Sequence, residues 1–180
     1  MDQLGVGVSS EFMGRSVWCY AAQSYRPFGT VAECTVVPLD QVAPLPEGVP
    51  MEQGASLVIP DITAHRAVHV AGFLNGRTVL VQGAAGSVGL CAVQLARFAG
   101  ARVIGTVRSS SDEATAKNAG AHEVLVSDRE LTSCVKALAP DGIDHIVEVA
   151  FGANIEADVE FPKQGGSEGA HTLATQLPAA

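Results

Sequence analysis

Thr78–Gly89, TVLVQGAAGSVG, is the stretch whose reading decides the fold. Val79, Leu80 and Val81 make a short apolar run that ends in a glycine-rich turn. The turn opens directly into an apolar helix over Leu90–Ala99. Strand, glycine turn and helix, in that order, are what the phosphate-binding end of a dinucleotide fold requires. Gly86 carries no Cβ, so the backbone there can approach a pyrophosphate. Free N–H groups at the start of the helix then face the anion and favour its charge. Gly89 allows the helix to lie close on the strand. Ala84 occupies the first glycine position of G-x-G-x-x-G, so the bare pattern fits only in part. Ala85, Gly86, Ser87, Val88 and Gly89 are the candidate pyrophosphate residues.

The weight of this reading rests on the frame around the turn. Arg102–Thr106 reads as a second strand. Ser110 or Ser111 caps a helix running to Ala119, with Asp112 and Glu113 in its first turn, where acids suit the helix dipole. Glu123–Val126 is a short third strand, Arg129–Ala139 a third helix and His145–Val149 a fourth strand. The series predicts a parallel sheet in the spatial order 3-2-1-4, with Gly83–Gly89 at the carboxyl edge of its first strand. Further on, Ile155–Lys163 starts as a helix that Pro162 breaks. After Gly165–Gly166 the chain reads SEGAHTLATQLPAA, which has little β character. The fourth strand is therefore expected to lack its next neighbour, leaving an apolar edge exposed, with marginal stability or self-association.

Ahead of the turn the pattern differs. Val17–Tyr20 and Thr30–Val37 read as strands, with Tyr25–Gly29 as a turn containing Pro27. Val42–Pro50 holds three prolines and reads as a linker or extended segment. Met51–Leu57 and Thr63–Phe73 read as two helices separated by Pro60. The chain divides at this level into a β-rich part, residues 1–50, and an α/β part, residues 51–180.

Composition narrows the function classes. The 180 residues are 47% hydrophobic and 5% aromatic, a mix of Ala, Val, Gly and Leu that suits parallel α/β layers. A net charge of −8 argues against a nucleic-acid partner, because phosphate binding leans on Lys and Arg. Thr78–Ala96 carries no charge, but Gln82, Gln94 and the glycine cluster interrupt it, so a membrane span is rejected. The N-terminus, MDQLG, shows no secretory signal. The four cysteines, Cys19, Cys34, Cys91 and Cys134, form no C-x-x-C pair and read as reduced thiols of a cytoplasmic protein.

Several motifs in order now resemble one family. GAAGSVG, ARVIGTV, NAGAHEVL and GIDHIVEV look like the quinone oxidoreductase (zeta-crystallin-like) branch of the medium-chain dehydrogenase/reductases. RPFGTVAECTVVP resembles the end of that family's GroES-like barrel, and QGASLVIPDITAHRAV its inter-domain helical segment. The resemblance runs from about Gly14 to Gly166. It implies a Rossmann-like sheet preceded by a β-rich part of the barrel, which adds fold content to the division at residues 50 and 51. It implies NADP(H) binding and hydride transfer to quinones or other electron-poor C=C–C=O compounds, without zinc. Against the family's length, the chain is expected to be truncated at both ends, and to have little quinone reductase activity alone. A non-catalytic nucleotide-binding or interaction module is the alternative. Homo-oligomerisation stays open. A short-chain dehydrogenase is discarded, because Tyr20 and Tyr25 both lie before the glycine turn.

Individual residues carry two readings each. An NAD site places an acid about 20 residues past the glycines, on the ribose. Here the chain reads Thr106–Val107–Arg108–Ser109, so Arg108 is either the partner of a 2′-phosphate or a solvated arginine. Asp112 stands about where relatives often carry a base, which weakens the NADP preference. Ser127 is either a hydrogen-bonding residue near the adenosine or a turn residue beside Asp128. Asn154 matches a family position near the ribose or nicotinamide, or caps a helix beginning at Ile155. His65 and His69 are spaced i, i+4, but no cysteine stands near them, and they read as surface or inter-domain residues. Glu148, inside an apolar strand, reads as a buried structural acid rather than a catalytic carboxylate. Cys91 packs against the sheet without the electropositive setting of a reactive thiol. No side chain of the chain is assigned as catalytic, because hydride transfer needs no acid or base from it.

Overall fold

The computed structural model describes residues 1–23 and 29–170. It divides into two compact units, Met1–Ile59 and Pro60–Ala180. In the first, β1 (Val17–Cys19) pairs antiparallel with β2 (Val42–Pro44), Trp18 opposite Ala43. Tyr20 N–H donates to the Gln41 carbonyl at 3.1 Å and Leu45 N–H to the Ser16 carbonyl at 3.0 Å, continuing the ladder at both ends. Two strands, against the longer pair expected, make this unit's sheet. Thr30–Val37 forms no strand. Val31 is 100% and Val36 88% exposed, so its β-branched residues have no pleated face to bury. The expected turn at Tyr25–Gly29 lies almost wholly outside the described residues.

Helix α1 (Met51–His69) is continuous and carries Pro60 inside it, where a break is expected. Proline removes one N–H and crowds the preceding turn. The residues that follow hold the helix: Ala64, Ala67 and Val68 are buried in the core of the second unit.

That unit is a parallel five-stranded sheet in the order β5-β4-β3-β6-β7. Its strands are β3 (Thr78–Val81), β4 (Arg102–Val107), β5 (Glu123–Val126), β6 (Ile143–Glu148) and β7 (Pro162–Ala170). The first four stand in the expected 3-2-1-4 order. The helices between them are α2 (Ser87–Phe98), α3 (Glu113–Asn118), α4 (Leu131–Leu138) and α5 (Phe151–Asp158). Ser110–Asp112 forms a 3-10 turn ahead of α3, so the expected single helix from Ser110 is tighter at its start.

Alternation along the strands splits the core. Val79, Val81, Val103, Val107 and Val147 face α1, α2 and α3. Leu80, Ile104, Ile143 and Ile146 face the other layer, with Leu131 and Val135 of α4 and Phe161. Helices on both faces are what the near-continuous apolar strands demand. Helix α2 buries Gly89, Ala92, Val93 and Ala96, spaced i, i+3, i+4, i+7 along one face. Among the described residues no helix is long and apolar enough to cross a membrane.

The fifth strand corrects the sequence expectation. β7 pairs parallel with β6, Val147 opposite Gly169, across an irregularity between Ile143 and His145. Its composition hides it because close approach, not apolar bulk, selects its residues. A Cβ at Gly166 would come within 2.9 Å of the Ile143 carbonyl oxygen, and one at Gly169 would run into the Ala67 backbone of α1. His145, fully buried, completes the join: Nε2 lies 2.8 Å from the Ala67 carbonyl and Nδ1 2.9 Å from Ser167 Oγ. The first contact requires Nε2–H, which leaves Nδ1 to accept the serine proton. Burial pushes the His145 pKa down. The fourth strand is therefore covered, and the exposed apolar edge expected there is absent.

Candidate functional site at the carboxyl edge of the sheet

The glycine turn leaves β3 at the point where the strand order reverses, β4 on one side and β6 on the other. In open α/β sheets ligands bind in the crevice at such a point. Gly83 takes the turn's left-handed conformation, φ +64°, and a Cβ there would lie 2.9 Å from Val149 Cγ2. Ala84 N–H donates to the Thr106 carbonyl at 2.7 Å, and Gly86 N–H to the Gly83 carbonyl at 2.9 Å. Gly86 is the N-cap of α2, extended at φ −77° and ψ 165°, with no side-chain cap. The first-turn N–H groups of Ser87, Val88 and Gly89 are thus left for a ligand. Gly86 and Ser87 are exposed, Ala85 and Val88 half-buried, and Gly89 buried. A Cβ at Gly86 would sit 3.3 Å from the Gly83 oxygen, and one at Gly89 would run into it. Gly89 thus lets α2 pack against the turn, and the exposed Gly86 sets no side chain over the free N–H groups, so the residues present fit a pyrophosphate.

The other candidates lie along the same edge. Arg108 follows β4 directly, is exposed, and has no ion-pair partner among the described residues. Ser109 caps the next turn, accepting from Ser111 N–H at 3.3 Å. Asp112 is half-buried in that turn. Ser127 follows β5, is exposed, and its N–H donates to the Val107 carbonyl at 2.8 Å, which sets it beside Arg108. Asn154 lies inside α5, which begins at Phe151, so it is not the cap of a helix starting at Ile155. Its Nδ2 donates to both oxygens of Glu148 at 3.0 Å.

Glu148 is fully buried and also accepts from Ala150 N–H, as a structural acid with a backbone partner. Asp158 lies behind it, 1% exposed. Burial and the Glu148 carboxylate push the Asp158 carboxyl up to about 7, against one favourable bond from Gln82. Gln82, Thr106 and Asp158 had no place among the sequence candidates. The signal for the first two was there, a polar residue at the end of each of two apolar strands. Asp158 gave none, being one acid among 19.

The remaining residues stay apart from this edge. His65 and His69 are exposed on α1, their ring centroids 4.4 Å apart. Among the described residues no group of three His, Cys, Asp or Glu is placed to hold a metal. Burial and the neighbouring Asp61 push the Cys91 thiol up to about 12, the opposite of an activated nucleophile.

A family model described as zinc-binding dehydrogenase matches residues 87–168. Quinone oxidoreductase of Mus musculus is 36% identical over 171 residues, covering 92% of this chain and 50% of that protein. The quinone oxidoreductase of Thermus thermophilus, solved alone and with NADPH, is 30% identical with a TM-score of 0.72, over 82% of this chain and 55% of that one. A 2-haloacrylate reductase superposes with a TM-score of 0.81 over 99% of this chain and 56% of that one, at 23% identity, a likeness of fold. The chain spans about half the length of the relatives it matches.

Proposed function

The chain belongs to the quinone oxidoreductase branch of the medium-chain dehydrogenase/reductases, and we propose that it is an NADPH-dependent oxidoreductase acting on quinones or enone-like acceptors. The observation that carries this reading is the uncapped start of α2 behind a turn in which Gly83 and Gly89 leave no room for a Cβ. Bound NADPH supplies the hydride, and the protein supplies binding and orientation. Ala85, Gly86, Ser87, Val88 and Gly89 take the pyrophosphate. Arg108 pairs with the 2′-phosphate, a charge that no acid directly after β4 opposes. Ser127 lies on the adenosine side. Asn154 commits Nδ2 to Glu148, which leaves Oδ1 for the ribose or nicotinamide side. Residues 51–180 are the dinucleotide-binding domain and residues 1–50 part of the catalytic barrel.

The acceptor class is tested with NADPH carrying deuterium at the transferred position. Loss of reduced-nicotinamide absorbance with a simple quinone, and deuterium at the β-carbon of an enone, support the reading. Because little turnover is expected of this chain alone, the readout is the transferred deuterium rather than the rate. NADPH that binds but passes no deuterium to either acceptor on prolonged incubation overturns the reading in favour of a nucleotide-binding module.

A further inference from the structure

The glycine turn is held from beneath by a buried line of side chains. Gly83 N–H donates to Thr106 Oγ1 at 3.2 Å. The Thr106 hydroxyl donates to Gln82 Oε1 at 2.5 Å, and Gln82 Nε2 donates to Asp158 Oδ1 at 2.7 Å. Thr106, Gln82 and Asp158 are each 1% exposed, and Glu148 is 0% exposed. Asp158 Oδ2 is buried with no hydrogen-bond partner. A proton on it makes a donor for the neighbouring Glu148 carboxylate, and burial beside that carboxylate favours this protonated form.

The donors then all run one way. Gly83 N–H leads through a hydroxyl and an amide to a protonated acid and ends on Glu148. From the far side Ala150 N–H and Asn154 Nδ2 end on the same carboxylate. Each position needs a group that accepts on one side and donates on the other, which Thr, Gln and a protonated Asp supply. A buried network of this kind rigidifies what it touches only if every member is satisfied.

We propose that Thr106, Gln82 and Asp158 are positioning residues for the nucleotide: they turn Gly83 N–H inward, fix the glycine turn, and tie it to the helix that carries Asn154. The proposal rests on the dinucleotide reading above. Thr106→Val keeps the shape of the side chain and removes both bonds. Thr106→Ser keeps them. NADPH affinity is read by fluorescence titration and the Gly83 amide by hydrogen exchange. Thr106→Val is expected to weaken NADPH roughly tenfold and to speed Gly83 exchange, and Thr106→Ser to restore both to within about twofold. Gln82→Met gives the same losses and serves where Thr106→Val does not fold. Val135→Ala, in the core under α4, lowers Tm and moves neither readout. Unchanged NADPH affinity in both Thr106→Val and Gln82→Met, an unmoved Gly83 amide, or an equal loss in Val135→Ala overturns the proposal while leaving the dinucleotide reading intact. Failure of the wild-type chain to bind NADPH removes that reading and the proposal with it.

Discussion

Asp158→Asn is expected to make the protein more stable, and increasingly so as pH rises. The carboxyl is 1% exposed, and burial with Glu148 beside it raises it from 3.8 to about 7. Between those values the folded state keeps a proton that the unfolded chain has released. Stability is therefore lost as pH climbs through that window and is level above it. At about 1.36 kcal/mol per tenfold in proton affinity, the window amounts to about 4 kcal/mol. About 2 kcal/mol of this falls between roughly pH 5.5 and pH 8. Asparagine has no proton to lose. It keeps an acceptor for Gln82 Nε2 and a donor for Glu148. Urea unfolding of both proteins near these two pH values reads the difference from the midpoints, provided the slopes agree. The advantage of the variant is expected to be about 2 kcal/mol larger at the higher pH. An advantage that does not change with pH, or a variant less stable than wild type near pH 8, would mean that Asp158 does not hold its proton in the folded state.

Three further outcomes follow from the same structure. Gly89→Ala drives a Cβ into the Gly83 carbonyl and is expected to cost about 1–3 kcal/mol of stability with a loss of NADPH binding, and normal binding by a stable variant would contradict the packing. Cys91, pushed up to about 12, is expected to resist iodoacetamide near pH 8 while the exposed Cys34 and Cys134 react, as peptide mapping would show, and equal labelling would contradict it. The folded His145 ring takes its proton at lower pH than an unfolded histidine, so its share of stability is lost as pH falls through 6.5. At pH 6.5, where an unfolded histidine is half charged, ring nitrogen shifts are expected to report a mostly neutral ring protonated at Nε2, and a mostly charged ring there would contradict the join between β6, β7 and α1.

What was legible in the sequence follows a physical divide. Glu123–Val126 is readable residue for residue, and the run Val79–Val81 falls one residue short of its strand, because buried strands between helices are short apolar runs bounded by turns. The spatial order followed from the alternation itself. The segment Pro162–Ala170 was not readable, since backbone pairing and the close approach of α1 select glycine where propensity expects valine. Pro60 was read as a break because local rules cannot see the tertiary packing of Ala64, Ala67 and Val68 that follows it. Thr30–Val37 differs the opposite way: its β-branched residues promise a strand, but Val31 and Val36 lie exposed and no strand forms there.

At the candidate site, the sequence points to the outward-facing positions and not to the side chains beneath them. The glycines follow from the motif, Arg108 from its spacing and Ser127 from the family resemblance, and the structure sets them along one edge of the sheet. The side chain of Asn154 is turned toward Glu148, a contact between a helix and the preceding strand that spacing alone does not specify. Asp158 meets Gln82 from 76 residues away, and only the folded sheet brings the two together.

The proposed NADPH site rests on the glycine turn and Arg108. Calorimetric titration of the 180-residue chain with NADPH and NADH, repeated on Arg108→Ala, tests it most directly. One site that prefers NADPH is expected, with Arg108→Ala losing about 1.5–3 kcal/mol of NADPH affinity and leaving NADH unchanged. Equal affinities for the two cofactors, no binding of either, or an Arg108→Ala variant that still prefers NADPH would contradict it.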